Sequence, residues 1–381
     1  MSAVRCARVG DADAGICESS VTVMACAFCH TVVASDSLMA LSIVTSPRFA
    51  DHLTPPGHPE RVERHSVMQV VAAEFREKGG SILEPRRATA EELARVHDTD
   101  YISLIRETAG RATALDPDTF TSPDTYDVAC LAAGAAALAV DHVLDGPVGT
   151  RALALVRPPG HHAEQNRAMG FCFFNNIAVA AAHARARGLS RVAIVDYDVH
   201  HGNGTQWSFY GDPSVLFISS HQYPYYPGTG AADEVGVEAG KGFTVNLPLA
   251  AGATDNDYER AYGAIAWPIL RTFKPQLILI SAGFDAYKDD PLAGMRLEAE
   301  CFGRLTAQAV EIADASSGGR VVAVTEGGYH LKGIADSLRS VIAALEGTTA
   351  ARASTPPAGD VQRGEAAIAA VTPHLSRYWP L

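Results

Sequence analysis

At 381 residues, with 47% hydrophobic side chains, 33 glycines and 21 prolines, the chain can bury one large α/β domain or two ordinary ones. Its formal net charge of −12 argues against a direct nucleic-acid binder, which needs a basic patch or stripe, and suits cationic partners such as lysine-rich peptides or polyamines. No apolar run reads as long enough to span a bilayer. Four of the seven cysteines crowd the first thirty residues (Cys6, Cys17, Cys26, Cys29), and Cys130, Cys172 and Cys301 are scattered; this odd count fits reduced thiols in a cytoplasmic enzyme better than a disulfide framework.

Residues 1–40 do not read like the rest. Cys26-Ala-Phe-Cys29-His30 has the haem-attachment spacing, but no surrounding haem fold is evident. Val21 to Val33 before Ala34-Ser35 has the outline of a signal-peptide core, but Asp11, Asp13 and Glu18 make a poor leading segment. The cysteines lack the paired C-x-x-C spacing of a zinc knuckle. The segment reads as a poorly packed extension, followed by a single catalytic domain at 41–376.

From Leu41 the pattern becomes regular. Apolar, β-branched-rich runs appear at Leu41–Thr45, Arg151–Val156, Arg191–Val195, Val215–Ser219, Gln276–Ser281 and Val321–Val324. Between most of them lie helical stretches at Thr125–Leu144, Asn176–Arg187, Asp255–Thr272, Leu297–Ala315 and Lys332–Leu345. Near-continuous apolar strands alternating with helices predict an α/β domain with a parallel sheet covered on both faces. Ligands of such sheets gather beyond the C-terminal strand ends. Ala350–Gly364, rich in Thr, Pro, Ala and Gly, predicts a loop before a short terminal helix.

The unusual residues fall at those ends. Four runs lead into Arg157-Pro-Pro-Gly-His161-His162-Ala163, Asp196-Tyr-Asp198-Val-His200-His201-Gly, Ala282-Gly-Phe-Asp285 and Thr325-Glu-Gly-Gly-Tyr329. Strand alternation puts Asp196, Asp198 and His200 on one face and Tyr197, Val199 and His201 on the other. Glycine and aspartate also favour plain turns, but four independent strands ending this way point to a site. Asp198, His200 and Asp285 offer two carboxylates and one imidazole, which neutralise a divalent ion and leave room for water and a substrate oxygen, as catalytic zinc requires. A second metal would want another carboxylate two residues beyond Asp285, where Tyr287 stands, so one metal is expected. His161 and His162 can move protons to and from a metal-activated water, with Asp196 and Asn203 as orienting partners. The Tyr329 phenol can reach a developing oxyanion. His201 is read as structural.

These residues resemble the zinc-dependent histone deacetylase family, within the arginase/deacetylase fold. The matching blocks are Gly57-His-Pro-Glu60-Arg61, Arg157–Ala163, Gly170-Phe-Cys-Phe-Phe-Asn-Asn-Ile-Ala178, Asp196–Thr205, Tyr225-Tyr-Pro-Gly-Thr-Gly230, Ser281–Ala286 with Asp290-Pro-Leu292, and Glu326–Tyr329. They occur in family order across about 41–345. The resemblance implies a central, mainly parallel eight-stranded sheet and one zinc on Asp198, His200 and Asp285. It assigns His161, His162 and Tyr329 to catalysis and Asp196 and Asn203 to their support. It further implies a narrow tunnel with Gly170, Phe171 and Tyr226 along the aliphatic part of an acetyl-lysine; the family commonly has Phe where Tyr226 stands. Leu292 and Asp118 would lie at the rim, with Asp118 in the loop that holds the substrate backbone in related enzymes. A structural potassium on Asp196, Asp198, His200 and Ser219 follows on the same grounds.

Two positions sharpen the subclass. Asn203 stands where class I enzymes have Asp, so the chain resembles class II and its bacterial amidohydrolase relatives. The polyamine-selective branch carries Glu after Asp-Pro where this chain has Leu292, which favours acyl-lysine in peptides or proteins over acetylated polyamines. A catalytically idle acyl-lysine reader is a further alternative, and the intact His pair and Tyr329 count against it. Oligomeric state, a homo-oligomer included, is open.

Overall fold

The computed structural model describes residues 41–349 and 359–381. The first forty residues, with Cys6, Cys17, Cys26 and Cys29, lie outside them, as does most of the segment expected to be a loop at 350–364. Eight strands form one sheet: β1 (Leu41–Val44), β2 (Ser81–Leu83), β3 (Arg151–Ala154), β4 (Val192–Asp196), β5 (Val215–Gln222), β6 (Thr244–Leu249), β7 (Leu277–Ala282) and β8 (Val321–Thr325). Their order is β2-β1-β3-β8-β7-β4-β5-β6, and every neighbouring pair is parallel. The four strands singled out by their terminal residues, β3, β8, β7 and β4, are therefore consecutive in the middle of the sheet. Sequence-distant side chains meet because the crossovers deliver their strands side by side.

Each inner strand is buried on both faces, and the period of two sorts its side chains. From β4 and its continuation, Ala193, Val195, Tyr197 and Val199 join one core with Met68, Phe302 and Leu338. Val192 and Ile194 join the opposite core with Val140 and Ile177. The alternation persists past the end of β4, so Asp196, Asp198 and His200 point away from the core that holds Tyr197 and Val199.

Two elements carry no clear sequence signal and a third is less regular than expected, each for an identifiable reason. The helix Val62–Glu77 buries Arg64 and His65 alongside Met68, Val71 and Phe75, so its inner face does not read as an apolar stripe. Strand β6 carries Pro248, which a sequence reading takes against a strand; it is tolerated because β6 is an edge strand. The stretch Asp255–Thr272 is helical but not uniform: α-helix Asp255–Ala261, a π-turn Tyr262–Ala266, then α-helix Trp267–Phe273. Pro268 brings no N–H to the i→i−4 ladder, and the widened turn lies just ahead of it. The short strand β2 and the helices Ala90–Ala94 and Thr99–Glu107 also lacked a clear sequence signal.

One expectation is corrected. The helix Thr125–Asp145 is long and apolar enough, by length and composition, to cross a membrane. Its apolar surface is spent inside the protein, where Val128, Ala132, Ala136, Val140 and Val143 pack under the sheet with Ala152 and Val322. The terminal helix Gln362–Leu375 is followed by Trp379, which donates to the Gly242 carbonyl at 2.6 Å. Ordered packing thus runs a few residues beyond the expected limit at 376.

Candidate active site

The carboxyl ends of β3, β8, β7 and β4 surround a cavity of about 210 Å3 lined by Asp118, His162, Gly170, Phe171, His200, Tyr225, Tyr226, Leu292 and Tyr329. At its inner end, Asp198, His200 and Asp285 bring one ligand atom each within 4.8 Å of one another. His200 Nδ1 lies 3.2 Å from Asp198 Oδ1 and 3.1 Å from Asp285 Oδ2. Those separations are close to the edge of a tetrahedron with metal–ligand bonds of roughly 2.0–2.2 Å. Backbone amides occupy the other carboxylate oxygens: Asp198 Oδ2 accepts from Gly327 N at 2.8 Å and Asp285 Oδ1 from Val199 N at 2.8 Å. The remaining oxygens, Asp198 Oδ1 and Asp285 Oδ2, both lie beside His200 Nδ1, and Asp198 Oδ1 also accepts from His200 N at 2.9 Å. Two carboxylates and one imidazole, all buried, fit a single divalent ion of zinc type.

Close approach of the backbone needs glycine at Gly327, where a Cβ would sit 2.3 Å from Asp285 Oδ2 and 2.6 Å from Asp198 Oδ2. Gly170 has φ +56°, and a Cβ there would sit 2.5 Å from the His162 ring. Any side chain at 170 would push into that imidazole.

The two histidines sit in different electrostatic surroundings. His161 Nδ1 faces Asp196 Oδ2 at 3.0 Å. Burial opposes its charge, but the Asp198 and Asp196 carboxylates outweigh that and push its pKa up to about 10; a cation on Asp198 would offset part of this. His162 Nδ1 faces Asn203 Oδ1 at 2.8 Å. Burial and the neighbouring His161 and His200 rings hold it well below the usual imidazole range. Side by side at 4.0 Å between centroids, one ring favours the charged form and the other the neutral form. Burial raises the Tyr329 phenol well above its usual range, so it stays protonated and can donate.

The structure brings together most of the residues expected from sequence. Gly170, Phe171 and Tyr226 form walls: Tyr226 lies edge-on to His162 at 5.2 Å and Phe171 edge-on to Tyr329 at 5.8 Å. Leu292 and Asp118 line the same cavity near its mouth. The Asp118 loop is tied to the wall by Thr119 Oγ1, which accepts from Phe171 N at 3.1 Å. Ser219 lies across from Asp196 in the β4–β5 register, and its hydroxyl is 3.0 Å from His221 Nδ1. His201 is held by Thr229 and Gln206 at 2.7 and 3.0 Å, away from the cavity lining.

Several supporting residues carried no role in the sequence reading. Glu60 is fully buried between Arg157 and Arg64, with contacts of 2.5 and 2.8 Å. Arg157 bears the loop of the His pair, and Arg64 donates to the Glu326 and Gly328 carbonyls at 2.5 and 2.7 Å beneath Tyr329. Glu326 Oε2 accepts from Gly160 N and His161 N at 2.7 and 3.1 Å. Asp290 Oδ2 accepts from Tyr329 N at 2.6 Å. Tyr225 stacks on His200 and donates to the Leu292 carbonyl at 2.9 Å. A charged residue flanking each motif was the available signal, but its partner lies far away in sequence.

The fold and site together define a hydrolase of amide bonds. The histone deacetylase domain model matches residues 56–345, so the chain belongs to the histone deacetylase family. It is 39% identical over 313 residues to a probable deacetylase of Archaeoglobus fulgidus, covering 81% of this chain and 87% of that protein. It is 42% identical over 313 residues to the human polyamine deacetylase HDAC10, covering 77% of this chain and 45% of that longer protein. The crystal structure of the HDA15 HD domain superposes with a TM-score of 0.82 at 36% identity, covering 90% of this chain and 96% of that one. Zinc dependence is the norm of the family, in keeping with the buried triad.

Proposed function

We propose that this deacetylase removes acetyl or other acyl groups from the ε-amine of lysine in peptides or proteins. The observation that carries the reading is that His162, His200 and Tyr329 line one cavity together with Gly170, Phe171 and Tyr226, an arrangement suited to a slender chain ending in an amide. One zinc held by Asp198, His200 and Asp285 would supply a Lewis acid for the acyl carbonyl and an acidified water. A structural potassium held by Asp196, Asp198, His200 and Ser219 is part of the same proposal and rests on family resemblance.

The chain's own groups then divide the work. His162, with Asn203 on Nδ1, presents Nε2 as the acceptor of the water proton. His161, beside the Asp198 and Asp196 carboxylates that favour its charged form, sits next to it and can stabilise the negative charge that develops. Tyr329 donates its phenolic proton as a hydrogen bond to the carbonyl oxygen, most strongly once that oxygen is anionic. As the C–N bond breaks, His162 returns its proton to the departing amine. Tyr329→Phe keeps the ring and loses the donor, so kcat on an acetyl-lysine peptide is expected to fall on the order of a hundredfold. Wild-type turnover in that variant, with zinc bound, would remove Tyr329 from the mechanism.

Acetylated polyamines are the second reading, favoured by the likeness to human HDAC10. The apolar Leu292 at the rim counts against it, since a free ammonium is recognised best by a carboxylate.

A further inference from the structure

We propose that Glu164 is a positioning residue that sets which way the Asn203 amide faces and thereby which nitrogen of His162 carries the proton. The inference rests on the reading of His162 as the base. An asparagine side chain has one donating end and one accepting end, and the two are told apart by their partners. On one side of Asn203 lie three acceptors: Glu164 Oε1 at 2.7 Å, the Met169 sulfur at 3.4 Å and the His162 carbonyl at 3.5 Å. The NH2 must face them. That leaves Oδ1 against His162 Nδ1 at 2.8 Å, so Nδ1 bears the hydrogen and Nε2 keeps its lone pair.

Glu164 dominates this choice because it is the charged acceptor at the shortest distance. Without it, the amide faces only a carbonyl at the limit of hydrogen bonding and a weakly accepting sulfur. A flipped amide would donate to Nδ1 and move the imidazole proton to Nε2, where it blocks acceptance of a proton from water. The Glu164 carboxylate is itself held by Arg167, at 2.9 Å, near the surface. Its main chain is fixed independently, since the Glu164 carbonyl accepts from His97 Nδ1 at 2.9 Å and its N–H donates to the Arg167 carbonyl at 3.0 Å. Changing the side chain therefore leaves the loop in position.

The pairing also has a chemical consequence for the residue at 203. An aspartate there would accept through either oxygen and would need no residue to set its orientation. With Glu164 present, however, it would place two carboxylates within hydrogen-bond distance. Asn203 and Glu164 thus form a matched pair, and changing one should alter the effect of changing the other.

The test uses the zinc-loaded full chain and an acetyl-lysine peptide, with His162→Ala as the reference for loss of the base. Glu164→Ala is expected to lower kcat about tenfold with KM within about twofold, a small part of what general-base catalysis contributes. Glu164→Gln retains an accepting oxygen and is expected to recover most of that loss. Asn203→Asp alone is expected to lower kcat, and adding Glu164→Ala to it should restore turnover. Normal kcat in Glu164→Ala, or losses that multiply in the double variant, would overturn the proposal. Should His162→Ala itself keep full turnover, the base assignment falls and the Glu164 role with it. A dead His162→Ala beside an unaffected Glu164→Ala removes the Glu164 role alone.

Discussion

At the inner end of the cavity Asp198, Asp285, His161 and His162 are buried and each is hydrogen-bonded to a fixed partner. At the mouth, Tyr225 and Tyr226 are more than a third exposed and Leu292 is half-buried on a loop. The inner groups hang from the ends of four adjacent parallel strands. The outer ones stand on connections that leave the sheet. A rigid end that performs one reaction is thus combined with a rim that can change without disturbing it. The groups assigned to the chemistry stand on the sheet, and those assigned to the rim stand on the loops.

The support beneath the inner end can be broken directly. Glu60→Ala leaves the Arg157 and Arg64 guanidinium groups buried and unpaired, which is expected to cost about 3–5 kcal/mol of stability. Urea midpoints would measure it, and a loss below about 1 kcal/mol would show that the cluster is not what braces the site. Burial alone would raise the Glu60 pKa, but Arg157, His52 and Arg64 hold it well below the usual carboxylate range. The sign of the pH effect follows: its contribution is present above the unfolded value of about 4.3 and is lost as pH falls through the lower folded value.

A smaller change at the rim should sharpen the contrast. Leu292→Glu places a carboxylate where an incoming ammonium would pass. The ratio of acetylputrescine to acetyl-lysine turnover is expected to rise about tenfold, with zinc content and melting temperature unchanged. An unchanged ratio would mean that selectivity is set elsewhere on the loops.

The same division governs what the sequence revealed. The apolar runs, the metal triad and the His pair were legible because strand periodicity and the residues at strand ends are local signals. Even so, nothing local told that β3, β8, β7 and β4 would be neighbours; that comes from the crossovers. Asp196 and Asn203 were expected beside the two histidines, and they lie 3.0 and 2.8 Å from the His161 and His162 Nδ1 atoms. Glu60, Arg64, Asp290 and Glu164 were not legible, because each acts through a hydrogen bond to a residue far along the chain or through a second side chain. The helix Val62–Glu77 was missed for the same cause, its inner face being partly ionic.

The central claim is hydrolysis of acyl-lysine amides at this cavity. Its most direct test is turnover of the zinc-loaded enzyme on a panel of acyl-lysine peptides beside acetylputrescine and longer acetylpolyamines. Higher kcat/KM is expected on at least one acyl-lysine peptide than on any acetylpolyamine. A clear preference for the acetylpolyamines, or zinc binding with no hydrolysis of any member, would contradict it.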